Sequence, residues 1–70
     1  MKPGDSVEAK YASLWLTLST NGFNPDEGKV VQIEREDAVV YFPRSNGLGG
    51  ESFQVPLCGI KLKTGDNNGN

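Results

Sequence analysis

The chain has 70 residues, a net charge of −2, one cysteine and no histidine. That length supports one domain with a small core, whose net stability is about 3–5 kcal/mol. A lone thiol makes no internal bridge, and without imidazole the zinc sites and the histidine-based forms of nucleophilic catalysis drop out. The bases Lys2, Lys10, Lys29, Arg35, Arg44, Lys61 and Lys63 are scattered among acids. That pattern disfavours sequence-independent binding to nucleic acid, which needs several phosphate contacts, and suits a basic peptide partner better. No apolar run approaches membrane-spanning length, and the first residues lack the apolar stretch of a signal peptide. The expectation is a soluble, intracellular, cytoplasmic protein with no membrane contact.

Pro3-Gly4-Asp5 is a turn signal, and Ser6 to Tyr11 then alternates polar and apolar. This predicts a half-buried strand with Val7, Ala9 and Tyr11 on the inner face. Leu14, Leu16 and Leu18 alternate with Trp15 and Thr17, which reads as a continuing strand or one arm of a long hairpin. Asn21-Gly22 is a turn dipeptide, because both residues tolerate positive φ, and Pro25 to Gly28 reads as a second turn. The whole connection is expected to form one long first loop. Lys29 to Glu36 predicts the next strand, with Val31 and Ile33 on one face and Val30, Gln32 and Glu34 on the other. Glu36-Asp37 gives a tight reversal. Ala38 to Phe42 is apolar on both sides, as in a crowded centre. Pro43 to Gly50 is a glycine-rich hairpin loop, Ser52 to Leu57 another strand, Leu57-Cys58-Gly59 a 3₁₀ turn, and Ile60 to Lys63 a last strand set against the first. Thr64 to Asn70 is polar and expected to be disordered.

Five short strands in so short a chain predict an all-β fold: a five-stranded, SH3-like small barrel over residues 1–63 with a tail at 64–70. Gly47-Leu48-Gly49-Gly50 precedes a strand and not a helix, so it reads as a hairpin loop and not a phosphate cradle. Asp26, Glu27 and Asp66 lack the spacing of a calcium loop and read as turn acids. Glu34, Glu36 and Asp37 read as a solvated hairpin tip. No carboxylate pair is placed for acid–base work, so neither a catalytic residue, a metal nor a cofactor is expected. Cys58 reads as a half-buried small apolar residue. Phe42 and Phe53 fit core positions. Tyr11, Trp15, Phe23 and Tyr41 are expected to converge at one rim, where they either form a cage for a methylated cation or plug the core.

These stretches resemble the Tudor family of SH3-like modules. Pro3 to Tyr11, Gly28 to Ile33 and Ala38 to Phe42 carry the resemblance, which spans residues 3–63. It implies an aromatic closing the first strand (Tyr11), one in or after the first loop (Trp15 or Phe23), one on the third strand (Tyr41) and a polar ligand contact in the next hairpin (Asn46). Where the family usually has a further aromatic, this chain has Arg44, a cation that repels a cationic ligand. The function so implied is a non-catalytic module that recognises a protein or peptide at an aromatic rim. The binding residues are Tyr11, Trp15, Phe23, Tyr41, Arg44 and Asn46. Three alternatives stand beside it. One is a nucleic-acid-binding barrel using Lys10, Lys29, Arg44, Lys61 and Lys63, with Trp15 stacked on a base. Another is a homo-oligomeric enzyme: Gly4 to Val7 and Ser52 to Pro56 faintly resemble the type II dihydrofolate reductases, with Lys10 and Gln54 lining a shared pore. The last is a structural subunit of a larger assembly.

Overall fold

The computed structural model describes residues 1–63; the tail expected at 64–70 lies outside them. Five strands form one antiparallel sheet: β1 (Ser6–Ala9), β2 (Gly28–Glu34), β3 (Asp37–Pro43), β4 (Gly50–Pro56) and β5 (Ile60–Leu62). Their order is β4-β3-β2-β1-β5. Consecutive strands β2, β3 and β4 meander. The expected 3₁₀ turn, Leu57–Gly59, then returns the chain so that β5 pairs with β1. Among the described residues no ladder joins β4 to β5, so the sheet is open and the expected barrel is not closed.

The alternation read from the sequence gives the inner face. Val7, Ala9, Val30, Ala38, Val40, Phe42, Val55 and Ile60 are buried together with Leu18 and Phe23, and among the described residues no polar side chain is buried with them. One strand departs from strict alternation. Val30 pairs with Val40, but Gln32 pairs with Val39, so Val31 is the extra residue of a β-bulge. The bulge shifts the phase of β2. Val30 and Ile33 now share the inner face, and Gln32 turns to solvent. This corrects the expected pairing of Val31 with Ile33. The reversal after β2 is also one residue earlier than expected. Glu34 pairs with Asp37, leaving Arg35-Glu36 as the turn, with Arg35 at φ 58°.

The larger correction is residues 12–20, which form a helix, α1 (Ala12–Thr20), and neither a strand nor a loop. Leu14 and Leu18 lie one turn apart and face the core, whereas Leu16 is 58% exposed. The dipeptide Asn21-Gly22 does not turn a hairpin but stops this helix. Asn21 is its C-cap and Gly22 follows at φ 88°. The Gly22 N–H donates to Ser19 O (3.1 Å) and the Phe23 N–H to Leu18 O (2.9 Å). These two bonds are the Schellman motif, which delivers Phe23 onto Leu18 inside the core. Strand β1 ends at Ala9, so Tyr11 leaves the inner face and becomes the uncapped N-cap of α1. Cys58 is exposed, not half-buried, because the 3₁₀ turn aims it outward.

Gly28 marks the tightest point of the core. A Cβ there would sit 2.8 Å from Phe42 Cε1, 2.9 Å from Val40 Cγ1 and 3.0 Å from Val7 Cγ2. Phe42, Val40 and Val7 are the largest fully buried side chains and have nowhere to retreat. Gly28→Ala is therefore expected to lower stability by about 1–3 kcal/mol through overpacking. In a domain of this size each kcal/mol moves the thermal midpoint by roughly 4–8 °C. A calorimetric scan with an unshifted midpoint would refute this packing.

Candidate functional site

The helix covers only part of the inner face. Leu14, Thr17, Leu18 and Asn21 recur at helical spacing and form one wall of a groove. Glu51, Phe53 and Val55, the inward residues of β4, form the opposite wall with Gln54 at the lip. Phe23, placed by the helix stop, and Arg44 close one end. The groove encloses about 550 Å³, within the size range of ligand clefts.

The Phe23 and Phe53 rings meet edge to face, 5.1 Å apart at 82°. The Arg44 guanidinium lies 4.7 Å above the Phe23 ring and forms an ion pair with Glu51 at 3.0 Å. An isolated bridge between Phe23 and Arg44 holds the two backbones together. A second concavity, of about 270 Å³, is lined by Tyr11, Ser13, Leu14, Thr17, Pro56 and Gly59. It shares Leu14 and Thr17 with the first, so the two lie side by side along α1.

Of the six residues expected to bind, Phe23 and Arg44 meet in the groove and Tyr11 lines the neighbouring concavity. Trp15 lies on another side of α1, where its Nε1–H donates to Asp26 Oδ1 at 3.1 Å. Tyr41 alternates away from buried Val40 and Phe42, on the outer face of β3, with its hydroxyl over Gly50. Asn46 caps its own loop, its Oδ1 accepting from the Leu48 N–H at 2.9 Å. Among the described residues the aromatic ring pairs are Phe23–Phe53 and Phe42–Phe53, so Tyr11, Trp15 and Tyr41 stack with no other ring. Sequence reasoning missed Leu14, Thr17, Leu18, Asn21 and Phe53 as site residues. The signal was present as the Leu14–Thr17–Leu18–Asn21 spacing, which the alternation of Leu14, Leu16 and Leu18 masked.

Several bases are tied to carboxylates: Arg44 to Glu51, Lys61 to Glu8 at 3.3 Å and Lys63 to Glu27 at 3.2 Å. Among the described residues no three ligating side chains gather as a metal site. No helix there is long and apolar enough to cross a membrane. No family model, curated protein or solved structure matches the chain.

In the second concavity the Tyr11 phenol is raised above its ordinary pKa of 10.0, first by its hydrogen bond to Cys58 and then by the thiolate's charge. A negative charge beside a phenol disfavours loss of its proton. In a Tyr41→Phe background, where Tyr11 is the sole tyrosine, Cys58→Ala is expected to bring the phenol back toward its ordinary value. An ultraviolet titration unchanged by Cys58→Ala would show that the two groups do not interact.

Proposed function

We propose that this chain is a non-catalytic binding module, an SH3-like small barrel of Tudor-like type, that takes an extended protein or peptide segment in the groove between α1 and β4. The strand order supports the barrel reading: a three-strand meander, then a 3₁₀ turn that returns the last strand to the first. The observation that carries the function is the groove itself. Its apolar surface comes from Leu14, Leu18, Phe23, Phe53 and Val55, and Thr17, Asn21, Arg44, Glu51 and Gln54 set polar groups among them. This is the anatomy of a recognition cleft, in which apolar walls supply affinity and a few polar groups set orientation.

The ligand class follows from Arg44. A methylated ammonium needs the open face of an aromatic ring. The Arg44 guanidinium already covers Phe23, and Glu51 holds it there. Apolar side chains, with flanking polar or basic groups, fit the groove better than a methylated cation.

Thr17 gives a clean test, because it is exposed and lies on the groove wall. Arginine is a better helix former than threonine, so Thr17→Arg fills the groove without unfolding the helix. Peptides selected from a displayed random library on the unmodified protein are expected to lose about tenfold or more in affinity for Thr17→Arg, with the thermal midpoint preserved. Binders indifferent to this substitution, or a library that yields none, would end the proposal.

A further inference from the structure

We infer that the ligand is captured as an added β-strand along the free edge of β4, as an extended segment that alternates apolar and polar residues and carries basic residues at its amino-terminal end. This rests on the peptide-binding reading above and specifies how the same groove works.

The phase of the β3–β4 ladder leads to this edge. At one end the Arg44 N–H donates to Gly49 O (2.8 Å), and at the other the Leu57 N–H donates to Glu36 O (2.8 Å). In an antiparallel ladder, hydrogen-bonded and non-bonded pairs alternate. With this register, Glu51, Phe53 and Val55 direct their backbone groups to Phe42, Val40 and Ala38. Gly50, Ser52 and Gln54 therefore present both N–H and C=O on the opposite edge, and Pro56 adds a carbonyl. No strand pairs there among the described residues. Glu51, Ser52 and Gln54 are exposed, so nothing among the described residues covers the edge.

This edge borders the groove. A strand laid antiparallel to β4 sends every second side chain inward, beside Phe53 and Val55 and across from Leu14 and Leu18. Main-chain bonds then give affinity and the groove gives side-chain preference, the usual division in strand addition. Charge sets which end of that antiparallel ligand is basic. Beyond the Pro56 end, Glu34, Glu36 and Asp37 surround Arg35 in one shallow concavity that includes Gln54. Three carboxylates against one guanidinium attract basic residues at that end, which is the amino-terminal end of an antiparallel ligand.

A second copy of the chain fits poorly. Glu51 points inward, so pairing two β4 edges sets Glu51 against the partner's Phe53 or Val55, or against its Glu51. Inward charges of this kind are a known defence against edge-to-edge self-pairing. A foreign strand with an apolar residue at that position avoids the conflict.

The probe is a synthetic peptide of about six residues, the common strand length, alternating leucine and threonine after two amino-terminal lysines. Binding is followed by anisotropy and by amide exchange at Ser52 and Gln54. Saturable binding with protection of both amides is expected. N-methylation of the threonine amides, which face β4, is expected to weaken binding about tenfold, and N-methylation of the leucine amides, which face away, to have little effect. Ser52→Pro removes an edge donor without touching the β3 ladder, so it is expected to keep the native circular dichroism and weaken binding to a similar degree. Replacing the lysines with glutamates is expected to weaken it further.

Equal effects of the two methylated series would overturn strand addition while leaving groove binding by side chains intact. Absence of saturable binding would overturn the stated ligand chemistry, and a selected peptide that still responds to Thr17→Arg would keep the broader reading standing. A dimer in the absence of peptide, dispersed by Ser52→Pro, would reassign the edge to self-pairing.

Discussion

One sheet face must be kept dry, and the chain has too little helix to cover it. Eight strand residues, from Val7 to Ile60, form that face. The only helix among the described residues has nine residues and packs Leu14 and Leu18 against it. In a domain of this size apolar burial and chain entropy nearly cancel, so every covered side chain counts. Phe23 supplies what the helix lacks. The Schellman bonds drop it onto Leu18, and its edge-to-face contact with Phe53 reaches across to β4. What stays uncovered is the strip between α1 and β4. The groove is thus the unfinished part of the core.

Arg44 shows why that strip is stable in water. A guanidinium over a ring covers apolar surface with its own plane and keeps its donors wet. Its contact with Phe23 is worth about 0.5–1 kcal/mol at an exposed site. The ion pair with Glu51 adds little, since both side chains are substantially exposed, 39% and 56%. The pair therefore shapes the groove more than it stabilises the fold. It seals one end, occupies the ring face that a cationic ligand would need, and holds Glu51 inward.

The strands were legible because each presents one dry face, and period-two alternation survives the loss of all tertiary information. Val7 and Ala9, Ala38, Val40 and Phe42, and Phe53 and Val55 all lie as the alternation predicts, whereas Val39 and Tyr41 are only half-buried on a face expected to be covered. The bulge at Val31 was not legible, since an extra residue in a run of Val-Val-Gln-Ile leaves no local mark. The helix was hidden for a different reason. Leu14 and Leu18 satisfy both a period of two and a period of four, and exposed Trp15 and Leu16 blur the helical face. Its start carries no capping side chain or acidic first turn, and its end carries no basic residue. The one stop signal, Asn21-Gly22, is shared by hairpins and helix ends. The aromatic rim failed to assemble for the same reason. Winding residues 12–20 into a helix carries Trp15 to Asp26, away from Phe23, and leaves Tyr11 beside Cys58.

The two edges of the sheet are defended unequally, and the difference bears on function. Edge strands that serve no purpose are kept short, charged or kinked. β5 fits that description: it has three residues, and Lys61 and Lys63 stand on it or next to it, tied to Glu8 and Glu27. β4 does not. It has seven residues, its edge-facing positions between Gly50 and Pro56 are the neutral Ser52 and Gln54, and its one charge is turned inward and neutralised by Arg44. Such an arrangement leaves the main chain open to a strand from elsewhere while penalising a strand from another copy. The inward Glu51 is itself a protection, and it acts on copies of this chain, whose Phe53, Val55 or Glu51 it would meet, and not on a foreign strand with an apolar residue at that position.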